Sequence, residues 1–135
     1  MIKSELQIRQ DVYDMLKDNL KSMIKGNVYK KGSRPIDAQT EDAVISVSDA
    51  SADQIQLGHV QINVYVPNIG TSPDDTKLTD LSKKHEYLCE LMNEMSTYEY
   101  NFYPGRAARM IEEPDINQSF VNFEIEFERI TFNDN

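Results

Sequence analysis

The amino-acid sequence predicts an α+β domain in which an antiparallel β-sheet has two amphipathic helices packed on one face. Two segments carry apolar residues at three- and four-residue steps, which is the period of a helix with one buried side. Other segments alternate apolar and polar residues, as strands do when one side is packed and the other is wet. The predicted order is α-β-β-β-α-β-β. A sheet covered on one side by both helices satisfies the two patterns together.

The first helix is predicted over residues 5–25. Ser4 and Gln7 have the spacing of a capping box, in which two side chains satisfy the free N–H groups of the first turn. Gly26 follows, and we expect it to end the helix in a left-handed conformation. The stripe that faces the core comprises Ile8, Val12, Met15, Leu16, Leu20, Met23 and Ile24.

Two β-branched segments, residues 43–48 and 55–66, are predicted to pair as a hairpin. Pro67 closes the second strand because proline has no N–H to donate to a neighbouring strand. Before the hairpin, residues 27–39 indicate a short strand at Val28 and Tyr29 and then an exposed loop. After it, residues 67–76 are rich in proline and polar residues and predict an exposed connection.

The second helix is predicted from Asp75 or Thr76, either of which can cap it, to about Ser96. Its buried stripe comprises Leu78, Leu81, Leu88, Leu91, Met92 and Met95. The phrase YEYNFYPG then predicts a short strand that ends at Pro104 and Gly105. In the closing strand, the apolar residues Val121, Phe123, Ile125 and Phe127 alternate with Asn122, Glu124, Glu126 and Glu128.

Length and charge restrict the class of function. A chain of 135 residues is one ordinary domain, so we assign residues 1–135 to a single core. The net charge of −9 disfavours tight nucleic-acid binding, because the average field repels phosphate. No secretory signal and no apolar run long enough to cross a bilayer is apparent, so we expect synthesis in a cytoplasm and no membrane contact.

Several residues have the chemistry of catalytic or metal sites, but each has a simpler interpretation. Glu124, Glu126 and Glu128 lie about 7 Å apart on one strand face, where carboxylates can bind a cation or act as an acid/base pair. A solvated strand face is the preferred reading, because nothing distinguishes the three environments. A metal-assisted hydrolase that uses these carboxylates remains a third hypothesis.

The loop before the second helix contains the letters of a metal-dependent nuclease motif, Pro73, Asp74, Asp75 and Lys77, but helix capping by Asp75 is the preferred reading. His59, His85 and Cys89 are too few for a zinc site: we read the histidines as surface residues and Cys89 as a small buried hydrophobe. Arg106 and Arg109 can clamp an acidic partner or a phosphate, although a structural ion pair is preferred. We therefore predict no catalytic, metal or cofactor site.

The order of elements and several phrases resemble the tail terminator or tail completion (head-to-tail joining, neck) proteins of tailed bacteriophages. The likeness spans most of the chain and is carried by SRPIDAQTEDAVISV, GHVQINVYVPNI, KLTDLSKKHEYLCELMNEM and SFVNFEIEFERI. The resemblance implies a non-enzymatic structural subunit of a phage or prophage particle. It also implies a ring, commonly a hexamer, that caps the tail tube and meets other tail and head-connector proteins. Such a subunit is assembled in the bacterial cytoplasm and resides in the virion.

In a ring of this kind, DNA passes through the lumen without sticking, and Glu124, Glu126 and Glu128 are candidates for an acidic lumen or an outer surface. The candidate assembly contacts are Arg34, Asp74, Asp75, Arg106 and Arg109, together with the loops at residues 27–42 and 67–76. The alternative is a stand-alone module that binds a protein or small ligand on the helix-free side of the sheet. Its anchor is the aromatic group Tyr98, Tyr100, Phe102 and Tyr103.

Overall fold

The computed structural model describes residues 1–131 and has the predicted α+β class. Its helices are α1 (Glu5–Met23), α2 (Asp75–Ser82) and α3 (His85–Glu94). Its strands are β1 (Val28–Lys30), β2 (Ala43–Ser48), β3 (Ile55–Pro67), β4 (Tyr100–Pro104), β5 (Arg109–Glu113) and β6 (Gln118–Ile130), with a single 3₁₀ turn at Pro114–Ile116 before the last strand. No helix among these residues combines the length and apolar character that crossing a bilayer requires.

The sheet has the strand order β1-β2-β3-β6-β4, and β5 also lies beside β6. The predicted hairpin is confirmed, because β2 pairs with β3 in antiparallel register from Ala43↔Val64 to Ser48↔His59. The expectation of a purely antiparallel sheet is wrong at one edge, where β1 runs parallel to β2. The cause is the connection of residues 31–42, which is long enough to return the chain in the same direction.

The centre of the sheet is the pair β3 and β6, which are matched residue for residue from Ile55↔Ile130 to Pro67↔Gln118. Alternate side chains of both strands are buried beneath the helices, as the alternation predicts. The apolar residues that these two strands contribute to the core are Val60, Ile62, Val64, Val66, Val121, Phe123, Ile125 and Phe127.

Helix α1 begins with the predicted capping box, in which Ser4 Oγ accepts from Gln7 N and Gln7 Oε1 accepts from Ser4 N. It buries Ile8, Val12, Leu16 and Leu20 in the same core as the strands, while Met15, Met23 and Ile24 are partly buried against it. Of the stripe predicted for the second helix, Leu78, Leu81, Leu88 and Met92 are buried, and Leu91 and Met95 are partly buried against the same core. Both helical segments therefore cover one side of the sheet.

The second predicted helix is two helices. The chain turns at Lys83 and Lys84, where Lys84 N bonds to Leu81 O three residues back instead of continuing the four-residue ladder. Neither glycine nor proline marks this break, so the sequence gives no local signal of it. The break separates Leu78 and Leu81 from Leu88, and both parts still pack on the core.

The C-terminal third contains one strand more than predicted. Strands β4 and β5 both pair with β6, from Tyr100↔Arg129 to Pro104↔Ile125 and from Arg109↔Asn122 to Glu113↔Gln118. Four residues, 105–108, lie between β4 and β5, but only two residues, 123 and 124, lie between the partners of these strands on β6. The edge of the sheet therefore carries a bulge at residues 105–108. The correct element order is thus α-β-β-β-α-α-β-β-β.

Gly26 does not have the predicted role. The helix is capped by Ile24 in an extended conformation, and Gly26 is not among the residues with a positive φ. The Cα hydrogen of Gly26 that a side chain would replace instead faces Asp42 Oδ1 and the carbonyl oxygen of Glu41, and a Cβ at that position would overlap both oxygens. Gly26 N also donates to Glu41 O over 2.8 Å. Glycine is required here because two backbone segments approach each other closely.

We predict that Gly26→Ala lowers the free energy of unfolding by about 2–3 kcal/mol, because backbone and a buried carboxylate must move to admit a methyl group. Urea denaturation followed by circular dichroism measures the change. Gly32→Ala is the matched control: its φ is 93° but nothing lies within 4 Å of the added Cβ, so only the left-handed strain of about 1 kcal/mol applies. Equal losses for the two variants would contradict this explanation.

Candidate functional site

The side of the sheet opposite the helices, which we call the open face, is built largely of polar side chains. Strand β3 contributes Leu57, His59, Gln61, Asn63 and Tyr65 to it, and β6 contributes Phe120, Asn122, Glu124, Glu126 and Glu128. These residues lie on this side because they alternate with the core residues of the same two strands. The open face is the surface on which most of the predicted site residues meet.

An amide network occupies the middle of the open face. Asn122 Nδ2 donates to Gln61 Oε1 over 3.1 Å and to Asn63 Oδ1 over 2.6 Å. Gln61 Nε2 in turn donates to Glu124 Oε1 over 2.9 Å. The four side chains lie on neighbouring strands in register, so the sheet itself fixes their positions.

Glu124 has 19% of its side chain exposed, and it forms an ion pair with Arg106 over 3.1 Å. Burial acts to raise the pKa of Glu124, but the Gln61 hydrogen bond and the positive charge of Arg106 lower it below its ordinary value. Arg106 also donates to Asn122 Oδ1. It reaches both partners because it lies in the bulge between β4 and β5, where Gly105 sits so close to Glu124 O that a Cβ would overlap it.

Glu126 and Glu128 lie at the end of the open face and form its acidic end together with Asp49. Glu126 is 55% exposed, and His59 lies between it and Asp49, at 3.7 Å and 3.5 Å respectively. Glu128 pairs across the sheet with Leu57 and Asn101. The three carboxylates share one face, as predicted, but their environments differ because only Glu124 is matched by an arginine.

A cavity of about 510 Å³ lies over the amide network. Lys31, which directly follows β1, lines it from one edge of the sheet, and Arg106 and Arg109, from the bulge and the start of β5, line it from the other. Among residues 1–131, no carboxylate or other side chain pairs with the Lys31 ammonium or the Arg109 guanidinium. The cavity thus contains three cations and one carboxylate, Glu124, in a protein whose net charge is −9.

Arg34 was predicted as an assembly contact, but its side chain is only 9% exposed and pairs with the fully buried Asp42 at 2.9 Å. It also donates to Thr40 O and to Gln118 Oε1, and its guanidinium lies 4.3 Å from the centre of the Tyr65 ring. Arg34 therefore holds the loop of residues 31–42 against the sheet, and it is not a free contact on the surface.

Asp42 is the centre of that anchor. Its carboxylate accepts from Arg34 Nε, from Asn27 N over 2.8 Å and from Thr40 Oγ1 over 2.8 Å. Burial acts to raise the pKa of Asp42, but the three hydrogen bonds and the charge of Arg34 hold it below its ordinary value. Sequence reasoning missed this group, since its members lie in an irregular loop with no periodicity.

The acidic residues at the start of α2 serve that helix, as its N-cap and in its first turn. Asp74, and not Asp75 as predicted, is the N-cap, and its side chain accepts from Lys77 N over 3.3 Å. Asp75 occupies the first turn, where a negative charge favours the helix dipole. Lys77 forms an ion pair with Glu41. Capping therefore accounts for Asp74, whereas Asp75 remains free to serve as a contact.

The aromatic group proposed as an anchor is divided between two environments. Tyr100 and Phe102 are buried on the helix side, where their rings stack 5.7 Å apart and Tyr100 donates to Asp11 over 2.6 Å. Tyr98 is exposed, and Tyr103 is half-exposed beside Glu126. Alternation along β4 explains the division, so the four rings do not form one binding surface.

His85 is not the surface residue that the sequence indicates. It is partly buried, and its ring stacks on Phe123 with centroids 6.2 Å apart. Cys89 Sγ lies 3.6 Å from His85 Nε2, and burial followed by the charge of Glu86 raises the pKa of the thiol. Cys89 is partly buried and packs against the core. Within residues 1–131, no three His, Cys, Asp or Glu side chains converge to hold a metal ion.

The chain matches no protein-family model and no curated protein. Its fold is similar to that of a solved chain whose name states no function, with a TM-score of 0.54 and 16% sequence identity over 97% of this chain and 99% of the other. At that identity, the likeness shows the fold alone. The architecture is therefore shared with a protein of the same extent.

We predict that Asp42→Asn lowers the free energy of unfolding by about 3 kcal/mol at neutral pH, because the buried Arg34 loses its counter-charge. The pKa of Asp42 is lower in the folded chain than its ordinary value of 3.8. The stability that its carboxylate contributes is therefore fully present when the pH is above 3.8, and it is lost as the pH falls through the lowered pKa. The difference between the two proteins, measured by urea denaturation, should therefore shrink at acid pH.

The control for this variant is Asp80→Asn, which removes an ion pair with Lys83 whose partners are both more than 70% exposed. An exposed pair of this kind contributes at most about 1 kcal/mol. A loss for Asp42→Asn as small as that of the control would show that Asp42 does not anchor the loop.

Proposed function

We propose that this protein is a non-enzymatic structural subunit of a phage or prophage particle, a tail terminator or tail completion protein that forms a ring at the head-tail junction. One observation carries the proposal: the side of the sheet that the helices leave open is largely polar, with the unpaired cations Lys31 and Arg109 at opposite edges of its cavity and carboxylates at one end. A surface divided by charge in this way suits contact with other polypeptides. The sequence phrases that resemble the phage family supply the identity of the assembly.

The acidic end of the open face suits the lumen of such a ring. Glu126, Glu128 and Asp49 are near one another, and none of the ion pairs among the described residues links them to a lysine or an arginine. Carboxylates facing a lumen repel phosphate and let DNA slide without sticking. We assign the lumen to Glu126 and Glu128 only, because Arg106 neutralises Glu124.

The two predicted contact loops present apolar side chains to solvent. Ile36, in the loop of residues 27–42, is 91% exposed, and Ile69, in the connection of residues 67–76, is 67% exposed. Arg34 and Asp42 hold the first loop in place from below, and Asn117 Nδ2 donates to Gly70 O beneath the second. Exposed isoleucines on anchored loops favour a protein partner, since burying each would contribute about 2 kcal/mol.

A stand-alone binding module is the alternative, and the cavity over the amide network favours it. A volume of about 510 Å³ lies within the range of small-molecule sites. The two functions differ in their stoichiometry, because a module binds its ligand as a monomer and a ring subunit associates with itself. Sedimentation velocity over a range of concentrations distinguishes them.

We predict that the purified chain forms rings of about six subunits, visible by negative-stain electron microscopy, and that these rings do not retain double-stranded DNA at moderate salt. Glu126→Lys/Glu128→Lys should leave the rings intact but make them retain DNA in a filter-binding assay. The affinity should fall steeply as salt increases, since it would arise from contacts to phosphate.

Asp53→Lys/Asp115→Lys provides the matched control, because it makes the same charge change at two exposed positions outside the open face. These rings should behave as the wild type does. Equal DNA retention by both variants would show that the net charge of the ring, and not the acidic end of the open face, decides whether DNA is retained. A chain that stays monomeric, even beside tail tubes, would refute the ring itself.

A further inference from the structure

The cavity of the open face contains more positive charge than the chain can neutralise. Lys31, Arg106 and Arg109 face a single carboxylate, Glu124, which leaves an excess of two positive charges. Ser46 and Ser48 add hydroxyl groups to the same wall. Because the protein as a whole carries a net charge of −9, this excess marks the cavity as a local site for negatively charged groups.

Helix α3 presents a matching negative stripe. Glu86, Glu90 and Glu94 are exposed and follow one another at intervals of four residues, so they share one side of the helix. This side is opposite Leu88 and Met92, which are buried in the core. The stripe is about 12 Å long at 1.5 Å per residue. None of the three carboxylates forms a hydrogen bond or an ion pair with another described residue.

The stripe and the cavity cannot meet within one molecule, because α3 packs on the helix side of the sheet and the cavity lies on the other. We propose that the cavity of one subunit binds the Glu86–Glu90–Glu94 stripe of a second copy of the chain. This contact deepens the proposed function and rests on it, since it specifies how the subunits of the ring join. It places the open face of each subunit against helix α3 of the next molecule.

Several features of the two surfaces fit this arrangement. The contact joins two different patches, so each subunit keeps one patch free for the next neighbour and the assembly can close into a ring. Tyr87 is 43% exposed beside the stripe, and Ile111 and Phe120 give the cavity an apolar wall on which an aromatic ring can pack. Glu126 and Glu128 lie outside the cavity and remain available to the lumen.

Charge reversal tests the contact in the full-length protein. Lys31→Glu/Arg109→Glu and Glu86→Lys/Glu90→Lys/Glu94→Lys should each weaken self-association by at least about tenfold, measured by sedimentation velocity at low salt. Combining all five substitutions in one chain should restore association, because the reversed stripe again faces a cavity of opposite sign. Restoration also shows that the separate variants lost affinity and did not simply misfold.

The matched controls are Lys17→Glu/Lys25→Glu and Asp18→Lys/Asp53→Lys/Asp115→Lys, which make the same charge changes at exposed positions outside both patches. They should associate as the wild type does. If the wild type forms rings and the cavity and stripe variants do so equally well, the inference is wrong while the proposed function stands. A wild-type chain that never associates overturns both, and failure of the combined variant to recover overturns the inference alone.

Discussion

The pairing of β3 with β6 is the constraint on which the rest of the structure depends. Thirteen residues of each strand are matched without a bulge between them, so the alternation of one strand is locked to that of the other. A slip of one residue would move every apolar side chain of a strand to the wrong side. The register therefore creates two faces at once: an apolar face that the helices cover and a polar face that they leave open. The amide network and the shared face of Glu124, Glu126 and Glu128 are consequences of this single register.

The parts of the fold that could be predicted from sequence are those with a regular period or a local cap. Helix α1 has both, and the alternation along β6 identifies its buried and open sides without reference to any other element. Strand β5 was missed because RMIEE is short and charged, and its pairing depends on Gly105 and the bulge that follows. The division of the second helix at Lys83 and Lys84 lacks any helix-breaking residue, so no local pattern in the sequence marks it.

The candidate site was predicted less completely than the fold. The carboxylates of β6 could be placed on one face, but their inequality could not, since Arg106 reaches Glu124 only through the bulge. The cavity cations come from two separate parts of the chain, Lys31 from the segment after β1 and Arg106 and Arg109 from the segment around the bulge, and only the strand order brings them together. Arg34 shows the converse error: a lone cation in a polar loop has the pattern of a contact residue, whereas its buried partner Asp42 lies eight positions away in the same loop.

The proposed role of the open face is contact between copies of the chain, with its acidic end left to the solvent of a lumen. The most direct measurement of that assignment is the reactivity of Lys31 towards an amine-specific label in dilute and in associated protein, read out by mass spectrometry. Lys25, which is exposed and lies outside the open face, serves as the internal reference. We expect Lys31 to become protected on association while Lys25 does not. Equal labelling of both lysines in the assembled protein would contradict it.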